Sequence, residues 1–352
     1  MAAKLNLNLG AMTDFLVGLL NTPSPTGYHL EAIDYTEKAF AKLGIPGLSL
    51  SVTTKGTLIG TWKGKSSKAP RGLTAHIDTL GLMVKEIKSS GRLKTTQLGG
   101  FAWNAVEYEG VTVRTFDNRR YRGTMLLENP STHVNRNLNT AERKGDNMEI
   151  RLDARTKSSG ETRALGIDVG DFVFLDPRVE VTDSGFIRSR HLDDKAGVAV
   201  IYGAMLAMNE AGLKPAQDVY FVIANYEEVG HGGSAGFPSN LAELLTIDMG
   251  ALGDGQNSDE FSVSICAKDS GGPYHIVLTD KVRALAKQYD IPYKMDIYPF
   301  YGSDGEAYWR AGGEAQVALI GPGIDASHGY ERTHMESLEH TAHLIARYLI
   351  EK

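Results

Sequence analysis

The chain has 352 residues, of which 42% are hydrophobic and 23% charged, and it carries a net charge of -6 at pH 7. That length and composition suit a globular protein of about two domains, and a mildly acidic balance without long single-sign runs argues against nucleic acid or a membrane as the main partner. The single Cys266 leaves no intramolecular disulfide framework and no multi-cysteine zinc site, so any metal must be held by His, Asp and Glu.

In chain order, the N-terminal stretch MAAKLNLNLGAMTDFLVGLL lacks the uninterrupted apolar core and small-residue cleavage site of a signal peptide. No run reaches the roughly 18 apolar residues of a membrane span. A cytoplasmic location is the expectation. Residues 12–20 read as a first helix, stopped by the prolines and glycine of NTPSPTG. A second helix starts at Leu30, with Leu30, Ile33, Phe40 and Leu43 on one face before Gly44. LSLSVTT and GTLIGTW then alternate like a hairpin, and RGLTAHIDT carries a further strand into polar residues.

From Leu82 to about Phe186 the texture changes to short alternating segments such as VTVRTF, MEIRLDA and DFVFLDP, with no long helix among them. This pattern predicts a small, barrel-like all-β domain at 82–186, inserted between two parts of a larger domain, 1–81 and 187–352. Within the insert, the polar run from Ser131 to Asn147 reads as an exposed loop without a folding role. After Arg188, helices alternate with apolar strands up to a last helix from Glu336, whose apolar face is Leu338, Ala342, Ile345 and Leu349. The expected fold is α/β, a mainly parallel sheet sandwiched by helices.

In open α/β sheets, ligands gather at the carboxyl ends of the strands. That rule selects the acids and histidines that follow apolar runs: His76 and Asp78 in RGLTAHID, Glu227 and Glu228 in DVYFVIANYEE, and Asp248 in LLTIDMG. Asp193 and Asp194 open a helix in HLDDKAG. Glu227 and Glu228 side by side at the end of a buried strand would raise each other's pKa and cost stability unless cations offset them. Imidazole and oxygen donors without thiolate suit zinc, with cobalt and manganese as alternatives, and a pair of such ions needs a bridging carboxylate.

The assignment that follows is His76 and Asp248 on one ion, Glu228 and His334 on the other, and Asp193 bridging both. Glu227 is left to act as general base, and Asp78 to accept the second imidazole proton of His76. ASHGYERTHMES offers both His328 and His334, and spacing to the last helix favours His334. Asp194 also reads as a plain helix N-cap. His191 stands near enough to support the site, whereas His231, His275, His340 and His343 read as structural or solvated. Ser303 and Asp304 lie in a turn that borders the substrate.

The set AHIDTLG, RHLDDKAG, NYEEVG, TIDMG and YERTHMES, in this order, resembles the M42 family of dinuclear metallo-aminopeptidases over essentially the whole chain. The resemblance implies metal ligation by His76, Asp193, Glu228, Asp248 and His334, with Glu227 as base. It also implies an inserted β domain that mediates dimerisation, and homo-oligomers from dimers up to tetrahedral dodecamers with zinc or cobalt. The implied activity is removal of the N-terminal residue from short peptides. Three segments depart from the family pattern: Tyr226 where Gln is common, HGGSAG in place of a shorter turn, and GSDGEAY in place of a GTDA-like loop. The chain is also similar to a subgroup found with synthesis of the osmoprotectant N-acetylglutaminylglutamine amide. Two other readings therefore stand beside the peptidase: a dinuclear amidohydrolase acting on a blocked or non-peptide amide, and a binding protein that has lost the chemistry.

Overall fold

The computed structural model describes residues 5–352, so the first four residues of the N-terminal stretch lie outside it. The order of elements is α1 (Leu9–Leu20), α2 (Leu30–Lys42), β1 (Leu48–Val52), β2 (Leu58–Trp62), β3 (Arg71–His76), β4 (Gly81–Ile87), β5 (Leu93–Leu98), β6 (Gly110–Arg114), β7 (Arg120–Leu127), β8 (Met148–Leu152), α3 (Ser159–Ala164), β9 (Phe172–Leu175), β10 (Glu180–Val181), β11 (Phe186–Ser189) and α4 (Leu192–Glu210). There follow β12 (Val219–Ala224), β13 (Glu243–Ile247), β14 (Gly250–Ala251), β15 (Val263–Asp269), β16 (Gly272–Pro273), α5 (Ile276–Gln288), β17 (Tyr293–Ile297), α6 (Asp304–Arg310), β18 (Gln316–Ile324), β19 (Glu331–His334) and α7 (Met335–Ile350). Helix α1 starts three residues ahead of the sequence expectation because the Asn8 side chain accepts the Ala11 N–H at 3.0 Å and caps it. Among the described residues, no helix is long and apolar enough to cross a membrane.

Two compact units are present, one made of the chain up to Asp78 together with Arg178–Lys352, the other of Thr79–Pro177. In the first, a sheet runs in the order β1-β2-β12-β3-β13-β18-β15-β16, with β14 on β18 and β17 on β15. Its centre is parallel, β12, β13 and β18 following β3, and β1, β2 and β15 join antiparallel. Successive residues of a strand face opposite sides, and the central strands use both. Leu245, Ile265, Ala318 and Ile320 pack with α1, α4, α5 and α7, whereas Leu244, Cys266, Val317 and Leu319 pack with Tyr298 and Tyr308 under α6. Helix α4 is buried along nearly its whole length, as befits a helix apolar on all sides. The expected face of α7 holds: Leu338, Ala342, Ile345 and Leu349 are all buried. The expected face of α2 holds except at Leu30, which opens the first turn and is 64% exposed.

The second unit is a closed six-stranded antiparallel barrel in the order β4-β5-β8-β7-β6-β9, filled by Leu82, Val84, Leu93, Val111, Val113, Met125, Ile150 and Val173. Closure removes the open edges that would otherwise invite pairing. The alternating pattern of the sequence runs to 186, whereas the barrel unit ends at Pro177. It ends earlier because β10 and β11, although they alternate like barrel strands, form a separate three-stranded sheet with β19. The 131–147 run is without strand or helix as expected, but Leu138 is buried in the barrel core, so the run has a packing role that its polarity concealed.

Candidate metal centre

Strand β3 has β12 on one side and β13 on the other. Within this sheet the strand that follows β3 in the chain lies on one side of it (β12), and the strand that follows β13 and β14 lies on the other (β15); such a reversal of strand order marks where ligands gather in open α/β sheets. His76 ends β3, and its register partner on β12 is Ala224, three residues ahead of Glu227. Asp248 follows β13 directly and its N–H donates to the Ile320 carbonyl at 2.9 Å. A glycine is required beside it, since a Cβ on Gly321 would stand 1.7 Å from the Asp248 carbonyl oxygen. Asp193 lies in the non-helical first turn of α4, and His328 comes from the loop between β18 and β19.

Asp193 stands at the middle of the group. Its Oδ1 is 3.1 Å from His76 Nε2, and its Oδ2 is 3.4 Å from His328 Nε2. His328 Nε2 is also 3.8 Å from Glu228 Oε2. Two donor clusters result, His76 with Asp193 and Asp248, and Asp193 with Glu228 and His328, and in each the ligating atoms lie within 4.8 Å of one another. Asp193 is common to both. Glu227 belongs to neither, and its Oε2 is 3.7 Å from His76 Nε2.

Backbone groups orient the candidate ligands. His76 Nδ1 lies 2.9 Å from the Asp78 carbonyl oxygen, a contact that makes Nδ1 the donor and leaves Nε2 for the cluster. The Asp78 carboxylate, 3.7 Å from the ring, does something other than the sequence suggested. It accepts the N–H groups of Glu227 at 3.1 Å and Glu228 at 3.3 Å and the Thr26 hydroxyl at 2.7 Å, so it fixes the turn that carries both glutamates.

The electrostatics call for cations. Burial, then the charge of Asp193, pushes Asp248 up to about 7 and Glu331 up to about 8. Burial also raises Glu227 and Glu228 well above the usual carboxylate range, the first aided by Asp248 and Asp304, the second by Asp193. Burial opposes the charge on Asp193, yet bonds from His328 and His76 hold it below its ordinary value. Burial opposes the charge on His76 as well, and the carboxylates of Glu227 and Asp193 raise it regardless. The buried Glu228 Oε1 has no hydrogen-bond partner. Buried acceptors are normally satisfied, and crowded carboxylates are costly without neutralisation. The donors present fit two divalent cations of the kind that accept imidazole and carboxylate together.

The structure thus brings together His76, Asp193, Glu227, Glu228 and Asp248 from the sequence assignment, and keeps Asp78 beside them. It sets His334 apart. That ring packs against Phe186 and Phe261 at 4.8 and 5.0 Å, its Nε2 lies 2.9 Å from the Ser184 carbonyl, and its Nδ1 accepts the Glu336 N–H at 3.2 Å. Both nitrogens are committed to backbone, and His328 holds the position expected of His334. Asp194 makes the capping bond of the plainer reading, accepting the Gly197 N–H at 3.1 Å, and also accepts the His76 N–H at 3.3 Å. Asp304 is buried against the HGG turn, accepting the Gly233 N–H at 2.5 Å, while Ser303 Oγ lies 2.7 Å from the Tyr274 hydroxyl. Among the other histidines, His231 stacks on Tyr226 with ring centroids 5.2 Å apart, and His340 and His343 face backbone carbonyls. Sequence reasoning missed Glu331 and Tyr301. Tyr301 donates to the Met249 carbonyl at 2.9 Å beside Asp248.

The family model for M42 glutamyl aminopeptidases matches residues 56–344. The chain is 47% identical over 331 residues to the protein YhfE of Bacillus subtilis (strain 168), covering 94% of this chain and 95% of that one, whose name proposes an aminopeptidase. It is 24% identical over 289 residues to the lysyl aminopeptidase of Pyrococcus furiosus, 80% of each chain. Two solved structures share the fold. The aminopeptidase APDkam598 from the archaeon Desulfurococcus kamchatkensis has a TM-score of 0.86 at 23% identity over 98% of this chain and 96% of that one. The TET1 peptidase of Pyrococcus horikoshii, which can assemble into a tetrahedron or a large octahedral shell, has a TM-score of 0.83 at 21% identity over 97% of this chain and 100% of that one.

Proposed function

The chain belongs to the M42 glutamyl aminopeptidase family, and on that premise we propose that it is a metal-dependent exopeptidase hydrolysing the N-terminal peptide bond of short peptides. The observation that carries this reading is the placement of the two oxygens of Asp193 toward two imidazoles, His76 and His328, with Asp248 and Glu228 completing the two clusters. His76, Asp193 and Asp248 would hold one divalent ion, and Asp193, Glu228 and His328 the other. When bound, such ions polarise a scissile carbonyl and lower the pKa of water toward about 7.

The protein's own part is proton transfer. Glu227 is unshared by the two clusters, and its Oε2 stands 3.7 Å from His76 Nε2, beside the donors but free of them, as a general base must be. It takes a proton from the attacking water and returns it to the nitrogen of the leaving amine as the C–N bond breaks. Asp78 keeps it in place by accepting its backbone N–H. We further propose that the chain forms homo-oligomers in which the barrel unit supplies a dimer contact, a reading supported by the assembly of the TET1 relative and tested by light scattering on the intact chain and on one lacking residues 79–177.

The catalytic reading is tested by metal analysis of protein purified without chelator, together with paired substrates, free-amine aminoacyl anilides against their N-acetylated forms. Close to two equivalents of transition metal and cleavage of the free-amine series are expected. Less than one equivalent under metal-replete conditions would remove the enzymatic reading. Activity confined to the acetylated series would replace the aminopeptidase with a hydrolase of blocked amides.

A further inference from the structure

We propose that Glu331 is a positioning residue that builds the second cation position by holding the backbone of Asp193 and of His328 at once. This rests on the dinuclear reading above and adds a residue to it.

Glu331 opens β19 and is 2% exposed. Its partner across the β11–β19 ladder is Ser189, four residues ahead of Asp193, so strand pairing sets Glu331 against the segment that leads into α4. Its Oε2 accepts the Asp193 N–H at 3.2 Å, and its Oε1 accepts the His328 N–H at 3.0 Å. One carboxylate therefore joins the acid shared by both clusters to the imidazole that only the second cluster uses. His328 has particular need of such a tie. Its φ is +62°, a left-handed conformation that residues other than glycine rarely adopt and that persists only where the surroundings impose it.

The remaining residues of the first cluster are anchored elsewhere. His76 is held by the Asp78 carbonyl, and Asp248 by the Ile320 carbonyl. Loss of the Glu331 carboxylate should thus act unequally. The first position feels it through Asp193 alone, whereas the second feels it through Asp193 and His328 together. A residue that merely filled space would lower stability without distinguishing the two positions.

Glutamine in place of glutamate retains one acceptor and turns an amide NH2 toward a backbone N–H, which breaks one of the two ties. The experiment is a titration of chelator-stripped, full-length protein with Co(II), followed by the visible absorption of the bound ion and by metal per chain after dialysis, for wild type, Glu331→Gln and Glu331→Asp. Wild type should take two equivalents. Glu331→Gln should weaken the second about 10–100-fold, the usual effect of removing a group that orients a ligand, and the first by less, since it feels the change through Asp193 alone. Glu331→Asp keeps the charge but is one methylene too short to span both N–H groups; it should behave alike, and it stands in if the glutamine variant does not fold. Wild-type affinity for both ions in a folded variant, or equal weakening of both, would overturn the proposal. Fewer than two equivalents in the wild type would instead remove the second position itself, a failure visible before any variant is compared.

Discussion

His328 Nε2 lies 3.4 Å from Asp193 Oδ2, and this contact, rather than any made by His334, completes the second donor cluster. Replacing His328 by alanine should reduce bound metal from two equivalents to one and lower kcat/KM by more than about 100-fold. Replacing His334 by alanine should leave both equivalents in place. It should cost about 1–3 kcal/mol of stability, because it removes a helix cap and a ring packed between Phe186 and Phe261. Metal content and thermal melts of the two variants check this; metal loss in His334→Ala with two ions retained in His328→Ala would reverse the assignment.

Glu227→Gln should keep both metal equivalents and lose roughly 10²–10⁴ in rate, the usual worth of a general base. Its Oε2 faces His76 Nε2 at 3.7 Å without joining either donor cluster. Single-turnover kinetics on the metal-loaded variant make the measurement, and wild-type rates would take Glu227 out of the mechanism.

Removal of metal should make stability fall as pH rises. In the metal-free protein Asp248 is pushed up from 3.8 to about 7 and Glu331 from 4.5 to about 8 by burial and then by Asp193. Between the unfolded and folded values the native state holds protons that the unfolded chain has released, so stability is lost as pH climbs through that interval. His76, raised in the same direction, adds to the trend. Lys195, pushed down to about 7 by burial, works the opposite way only above that value. The chelated protein should therefore melt at a lower temperature at about pH 7 than at about pH 5, and added divalent metal should restore more at the higher pH. A flat or rising melting temperature over this range would contradict it.

Cys266 should be inert in the native protein. Burial first, and the charge of Asp269 second, push its thiol up to about 12, leaving almost no thiolate at pH 8. Iodoacetamide at pH 8 should label the folded chain negligibly and the denaturant-unfolded chain once. Rapid native labelling would show that the strand carrying it, β15, opens readily.

Most of the centre was legible because it obeys a local rule. His76 ends a buried strand, Asp248 follows one directly, Glu227 and Glu228 come within four residues of the end of another, and Asp193 opens a helix, so a strand-end reading reaches them without distances. The choice between His328 and His334 was not legible. Both lie in one polar stretch, and what selects His328 is a left-handed turn and a bond to Glu331, neither of which leaves a periodic trace. Glu331 was missed for a related reason: in ERTH a buried carboxylate looks like any solvated one, since its burial comes from pairing with β11, far away in sequence. The same long-range pairing misplaced the end of the barrel unit. Strands β10 and β11 alternate as barrel strands do, and only β19 shows that they belong elsewhere.

The most direct measurement is diffraction from metal-loaded crystals at the absorption edges of the bound ion. Two anomalous peaks about 3.5–4 Å apart, one on each oxygen of Asp193, are expected, the first also touching His76 and Asp248 and the second Glu228 and His328. A single peak, or a peak bound by His334, would contradict a centre built around Asp193.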